Sequence, residues 1–291
     1  MDIRRAVGGL GRTLIMSGAL ILLFVAYQLW GTSLAEGRSQ DRLVEQFSQV
    51  LDVPTIQDPA VPAPPTTPPP APPPPPEGEA VALIKIPKIG VEKAVVQGVG
   101  LPELKKGPGH YPTTPMPGQP GNVAVAGHRT TYGAPFFRLD EVDGGDPILI
   151  TTRQGHFVYE VTERKVVGPD ETQVLDTTPD NRLTLTTCEP RFSAAKRLVV
   201  VAALKGEAAE PPPDPPAAPP AAVDPAGLSG RNAGNGPAIA WGVGAALVGL
   251  LTWLVGRLWR RWPAYLLGTP VFLAVLFFFF ENFSRLLPAN Y

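Results

Sequence analysis

A thiol, an imidazole and a guanidinium carry the chemistry that this sequence can offer. Cys188 is the only cysteine, and it ends the strand-like run Arg182-Leu183-Thr184-Leu185-Thr186-Thr187-Cys188. A thiolate is a strong nucleophile, whereas a lone cysteine can equally be a small buried hydrophobe. Composition alone leaves both readings open. Cys188 is followed by Glu189-Pro190, so it sits where a chain leaves a scaffold, a common place for catalytic groups. His128 closes a second run, Asn122-Val123-Ala124-Val125-Ala126-Gly127-His128, and an imidazole exchanges protons near neutral pH. Gly127 would allow close backbone approach there. Arg197 opens the apolar run that follows Cys188. Antiparallel pairing of those two runs would bring Cys188 and Arg197 to one sheet edge, where a guanidinium can hydrogen-bond an oxyanion. A salt bridge with Glu189 is the competing use of Arg197. Lys196 competes for its role, because strand neighbours face opposite sides.

The remaining histidines are weaker candidates. His156 falls in a hairpin turn and is expected at the surface. His110 precedes Tyr111-Pro112 in a Gly/Pro-rich loop, so it is expected on the surface or along a groove, and its loss is expected to be mild. Three scattered histidines and one cysteine give no metal-ligand spacing, and no cofactor is expected. The acidic run 140–146 lacks the EF-hand pattern and reads as a charged turn. Gly107-Pro108-Gly109 lacks the Lys-Ser/Thr and helix of a phosphate loop. A formal net charge of −1 argues against a dedicated nucleic-acid binder, and one cysteine excludes a disulfide scaffold.

The elements that must hold these groups read as mainly β. Short β-branched runs cover 81–86 and 91–99, with a helical turn at 101–106 before the Gly-Pro-Gly segment. Further strands are expected at 123–126, at 148–152 and 157–167 as a hairpin, and at 183–187 and 198–204. Short strands separated by Gly, Pro and Asp turns suggest a sandwich or a barrel.

Proline and apolar residues bound this segment. The chain has 291 residues and 37 prolines, of which 13 lie in 54–76 and 8 in 211–225. Such tracts cannot supply ladder or helix donors, so only 81–205 is left to build a core of ordinary domain size. The first tract is expected to be a polyproline spacer of roughly 70 Å, at ~3.1 Å per residue. Residues 14–30 carry no charge and follow Arg4, Arg5 and Arg12; 238–256 and 264–280 are apolar and flank Arg257, Arg260 and Arg261. All three read as membrane helices, with the basic residues on the cytoplasmic side. A cleavable signal peptide ending near Ser33-Leu34-Ala35 is the rival reading of the first.

The expected organisation therefore has a cytoplasmic stub and membrane helix at 1–31, and a juxtamembrane segment with the Pro-rich spacer at 32–80. A β-domain follows at 81–205 and a Pro/Ala/Gly-rich linker at 206–237. Two membrane helices, 238–256 and 264–282, flank a basic cytoplasmic loop at 257–263, and the tail is 283–291. The expected location is the cell membrane, multi-pass, with the β-domain outside the cytoplasm.

Taken together, Thr184-Leu185-Thr186-Thr187-Cys188 (a TLxTC motif), Ala126-Gly127-His128-Arg129 and the downstream Arg197 resemble the sortase family of cysteine transpeptidases. Gly109-His110-Tyr111-Pro112 and residues 127–136 look most like class E sortases of high-GC Gram-positive bacteria. The resemblance implies an eight-stranded β-barrel that cleaves a sorting motif of the LAxTG or LPxTG kind between Thr and Gly. In it Cys188 would form a thioacyl intermediate, His128 would shuttle the proton and Arg197 would stabilise the oxyanion. Tyr111 and Thr187 would contact the substrate. The implied partners are secreted proteins with a C-terminal sorting signal and a cell-wall precursor amine, lipid II-like, as acceptor. Pilin polymerisation onto a lysine acceptor is an alternative, although Asp58-Pro59-Ala60 is a poor match to a pilin-type lid motif. A catalytically silent, peptide-binding wall scaffold is another.

Overall fold

The computed structural model describes residues 3–51, 73–211 and 235–284. They fall into two compact units, one within Thr32–Gly230 and one formed by Met1–Gly31 with Arg231–Asn290.

The first unit is a closed barrel of eight strands. In chain order these are β1 (Ala80–Ile86), β2 (Val91–Gln97), β3 (Gly109–His110), β4 (Asn122–Ala126), β5 (Pro147–Thr152), β6 (Gly155–Val167), β7 (Arg182–Glu189) and β8 (Lys196–Lys205). Around the barrel they run β1-β2-β3-β4-β7-β8-β6-β5, with β1 closing on β5. Most pairs are antiparallel, but β2 with β3 and β4 with β7 are parallel. The alternation of buried side chains sends Ile84, Ile86, Val123, Val125, Leu183, Leu185, Val200 and Ala202 inward to one core. Each large aliphatic side chain so buried contributes about 1.5–3 kcal/mol.

Seven of the strands occupy the runs expected from the sequence, including the hairpin joined where Thr152 faces Gly155. β3 does not. Residues 109–110 were expected to be loop, because two residues carry no period to read. They become a strand because Gly109 and His110 bridge β2 on one side and β4 on the other. The expected helical turn shrinks to α3 (Leu101–Leu104).

The juxtamembrane segment is more than a short helix. A 19-residue helix, α2 (Thr32–Val50), buries Thr32, Glu36, Gln40, Leu43 and Phe47, a stripe with helical spacing. Leu43 and Phe47 pack with Ala80, Ala94 and Val96, and Leu51 joins them. Gly78 donates its N–H to the Gln97 carbonyl at 2.8 Å. Residues on both sides of the first proline tract therefore belong to one folded unit. The polyproline expectation itself falls mainly on 52–72, outside the described residues, and so does Asp58-Pro59-Ala60. The second tract lies outside the described residues beyond Pro211. Its entry is anchored by the Ala209 N–H to the Gly118 carbonyl at 2.8 Å.

The second unit holds α1 (Ile3–Ala26), a π-helical turn (Tyr27–Gly31), α4 (Gly236–Leu258) and α5 (Arg261–Ser284). Three segments are long and apolar enough to cross a membrane: Val7–Val50, Gly236–Leu258 and Arg261–Ser284. Tyr27 meets Phe277 edge-on at 5.1 Å and Phe280 at 5.9 Å. The basic loop expected at 257–263 is largely helical. Arg257 lies in the last turn of α4 and Arg261 opens α5, leaving Trp259 and Arg260 as the link.

Candidate active site

Three neighbouring strands position the three groups: Cys188 lies on β7, Arg197 on β8, and His128 just beyond the end of β4. The parallel pairing of β4 with β7 sets Ala126 opposite Thr186, and continues as the Gly127 N–H donates to the Thr186 carbonyl at 3.0 Å. His128 and Cys188 thus leave adjacent strands two residues past the same register point. On the other side of β7, Cys188 is the pairing partner of Arg197 on β8. Strand parity fixes the faces. Leu183, Leu185, Val123, Val125, Leu198 and Val200 point into the barrel, so Cys188, His128 and Arg197 share its outer face. The same alternation separates the two cations: Arg197 is buried whereas Lys196 is exposed.

All three groups are withdrawn from solvent. Cys188 is 5% exposed, His128 2% and Arg197 4%. Burial raises the Cys188 thiol above its ordinary pKa, while the charges of Arg197 and Arg129 pull it back down. Burial lowers His128 to about 4, and Lys105 pushes in the same direction. The neutral thiol and neutral imidazole are therefore the main forms near pH 7. Nε2 of His128 is buried without a hydrogen-bond partner among the described residues. The Arg197 guanidinium donates through Nη1 to the Ala194 and Lys196 carbonyls at 2.9 and 3.0 Å, which ties it to its own turn. Glu189, the competing partner for Arg197, instead meets Arg129.

Arg129 is the functional candidate that reasoning from sequence passed over. It is 2% exposed. Its Nη1 donates to the Cys188 carbonyl at 3.1 Å and to Glu189 Oε2 at 2.9 Å, and its Nε donates to the Phe137 carbonyl at 3.0 Å. Nη2 lies 3.1 Å from Asp140, which also receives Arg191 at 2.9 Å. The residue after the histidine thus clamps the peptide of the cysteine. An arginine directly beyond a strand-end histidine was the available signal, but its partners lie far along the chain.

The loop after His128 is closely fitted. A Cβ on Gly127 would fall 2.5 Å from the Phe136 ring, so only glycine lets that ring reach the core. Thr187 donates its hydroxyl to the Gly127 carbonyl at 2.7 Å. Its hydroxyl is thereby used to join the cysteine strand to the histidine strand. Tyr111 is 1% exposed and packs with Val99, Leu104, Ala124, Ala126 and Leu175. Its hydroxyl lies 3.4 Å from Thr186 Oγ1, and burial raises it to about 12. Tyr111 thus lies in the packed floor of the outer face, whereas Thr187 has the inward parity of Leu183 and Leu185.

His110 contradicts the surface expectation. It is fully buried on β3, with Nδ1 at 2.8 Å from Gln97 Oε1 and Nε2 at 2.9 Å from the Pro115 carbonyl. Burial lowers it to about 4. The unforeseen strand β3 is what draws it inside. His156 is exposed, 2.9 Å from Thr151 Oγ1. The acidic run pairs with cations throughout: Asp140 with Arg129 and Arg191, Glu141 with Arg138, Asp143 with Arg164, and Asp146 with Lys88.

The sortase domain profile matches residues 84–205. Among curated proteins, sortase SrtE1 of Streptomyces coelicolor is 33% identical over 211 residues, which are 66% of this chain and 55% of that protein. Sortase D of Bacillus subtilis is 35% identical over 128 residues, 42% of this chain and 63% of that protein. The chain thus spans between about half and two thirds of the length of these relatives. Among solved structures, sortase E from Streptomyces avermitilis is 39% identical, with a TM-score of 0.41, over 45% of this chain and 90% of that one. With its TLxTC motif on β7 and its barrel spanning the matched residues, the chain belongs to the sortase family.

Proposed function

We propose that this protein is a membrane-anchored cysteine transpeptidase, and that the single observation carrying this reading is the placement of Cys188 on β7 between Arg197, its pairing partner on β8, and His128, two residues beyond the end of β4. The Cys188 thiolate attacks the carbonyl carbon between Thr and Gly of an LAxTG- or LPxTG-like sorting motif. The oxyanion that forms is stabilised by the Arg197 guanidinium, a preorganised donor in a site that excludes water. The C–N bond then breaks, and the imidazolium form of His128 gives its proton to the departing glycine amine. A thioester to Cys188 and a neutral imidazole remain. An incoming amine attacks the thioester, His128 takes a proton from it, and the thiolate leaves.

The active ion pair is a minor species in this description. The thiol titrates above its usual range and the imidazole near 4, so Cys188 and His128 are ionised together only in a small fraction of molecules. That fraction is nearly constant between the two titrations. Binding of a peptide that contacts both groups would enlarge it.

The basic residues Arg4, Arg5 and Arg12 in the first half of α1, and Arg257, Arg260 and Arg261 around the α4–α5 link, support a cytoplasmic placement of those ends. The barrel then lies outside the cytoplasm, where secreted proteins and a cell-wall amine meet. Ser33-Leu34-Ala35 lies inside α2, which favours an anchor over a cleaved signal, since a protease needs an extended segment. The proposed boundaries are those of the sequence reading, with α2 added to the catalytic unit.

The test is to incubate the full chain, in detergent, with LAxTG and LPxTG peptides and with candidate amines: oligoglycine, diaminopimelate-containing stem peptides and a lysine peptide. Mass spectrometry reads cleavage, the thioacyl adduct on Cys188 and the transfer product. Cleavage between Thr and Gly with amine transfer, lost in Cys188→Ala, is expected. Turnover that persists in Cys188→Ala would defeat the mechanism.

A further inference from the structure

The helix that precedes the matched domain reaches the catalytic loop. Helix α2 is fixed on the barrel by side chains that act on backbone. Gln40 receives the Ala94 N–H at 2.7 Å and donates to the Ala94 carbonyl at 3.0 Å and the Lys106 carbonyl at 2.7 Å. One turn earlier, Glu36 is 2% exposed and pairs with Lys93 Nζ at 2.8 and 3.0 Å. One turn earlier again, Thr32 Oγ1 accepts the backbone N–H of Tyr132 at 3.2 Å, with Thr32 1% exposed.

Tyr132 belongs to the loop that leaves His128. Its ring lies 5.2 Å from the His128 ring, and Lys105 Nζ stands 5.4 Å from the centre of the tyrosine ring. The loop is held in an unfavourable conformation. Tyr132, Gly133 and Ala134 have φ of 48°, 72° and 42°, a left-handed run that includes two residues with side chains. Such a run persists only where its surroundings over-determine it. Helix α2 supplies those surroundings: a Cβ on Gly133 would fall 2.3 Å from the Glu36 carboxylate. The contacts of Thr32 and Glu36 with this loop lie one helical turn apart.

We infer that α2 is a positioning element of the active site, and that Thr32, acting through the Tyr132 peptide and ring, sets the place of the His128 imidazole. The inference rests on the reading of His128 as the proton-transfer group. It extends the working unit upstream of the matched residues 84–205. It also explains why the chain enters the barrel through a helix with a polar, buried first half. The charged and titratable groups around the ring and its loop are Lys105 over the Tyr132 ring, Glu36 paired with Lys93, Arg129 next to His128 in the chain, and Cys188 and Arg197 on the adjoining strands.

The test uses the full chain in detergent, with Thr32→Val, Thr32→Ser, Tyr132→Leu and His128→Ala. Removing one hydrogen bond that orients the loop should lower kcat for peptide cleavage about three- to tenfold, with KM unchanged, and Thr32→Ser should restore it. Selective 13C labelling of the three histidines gives a second readout. A loosened Tyr132 admits water, so the His128 midpoint should rise from about 4 toward its ordinary value in Thr32→Val and stay in place in Thr32→Ser. Tyr132→Leu, which leaves α2 intact, carries the same two readouts if Thr32→Val fails to fold. Wild-type kcat and an unmoved His128 midpoint in the folded variant would overturn the inference. So would a loss that appears only as lower thermal stability. Retained turnover in His128→Ala would instead remove the acid–base reading on which the inference stands.

Discussion

Replacing Arg129 by methionine should open the cysteine strand without touching a group proposed to react. The side chain is 2% exposed and satisfies the carbonyls of Cys188 and Phe137 together with two carboxylates. Methionine fills much of the volume but donates nothing. Each buried carbonyl left without a donor costs about 1–2 kcal/mol. Glu189 is 28% exposed and Asp140 is 40% exposed and keeps Arg191, so solvent limits their combined share to about 1 kcal/mol. The total is about 3–5 kcal/mol, a large part of the stability of a domain of this size. Hydrogen exchange of the full chain, followed by mass spectrometry of peptides covering 182–189, reads this directly. Where opening is a pre-equilibrium, a loss of that size speeds exchange between about a hundredfold and a few thousandfold. Lysine can keep one carboxylate and one carbonyl but not the planar fork, so Arg129→Lys should fall between. Exchange in Arg129→Met within threefold of the wild type would refute the clamp. A slowed exchange would do the same.

Two further predictions concern charge. Arg197→Ala should lower kcat by roughly 10²–10³ if the guanidinium meets the oxyanion, while Lys196→Ala should be nearly neutral because Lys196 faces solvent; steady-state peptide cleavage decides it, and equal losses at both positions would defeat the assignment. Acid should destabilise the barrel through its two buried histidines, each held near 4 when folded against an ordinary 6.5. Their neutral burial contributes fully above pH 6.5 and is lost as pH falls toward 4, on the order of 3 kcal/mol for each histidine. His110→Gln should therefore flatten the pH dependence of urea stability between 6.5 and 4. It should also destabilise the barrel at pH 7, contrary to the mild effect expected of a surface residue. An unchanged slope would refute the burial account of His110.

Much of this protein was legible along its sequence, because the relevant signals are local. Alternation of β-branched residues marked seven strands, and the uncharged runs marked the helices long enough to span a membrane. The Cys188–Arg197 spacing implied a pairing across one turn, and the register Cys188↔Arg197 is that pairing. Parity then separated Arg197 from Lys196, as the alternation of any strand must.

Other features depended on contacts between distant residues. Gly109 and His110 carry no strand pattern of their own and are made a strand by β2 and β4 on either side. His110 is buried between those strands, with the Pro115 carbonyl of the following loop against its ring. Arg129 gains its role from Cys188 and Glu189, some sixty positions later, once parallel pairing has set β4 beside β7. The segment after the first apolar run showed helical tendency but not its target; Gln40 meets Ala94 and Thr32 meets Tyr132 only after the barrel has closed. The sequence by itself determined which residues could react and which elements would carry them, since residue type and short-range period are local properties. Only the tertiary structure decided what holds those residues in place, because a buried donor and its acceptor are matched by the fold and leave no periodic trace in the chain.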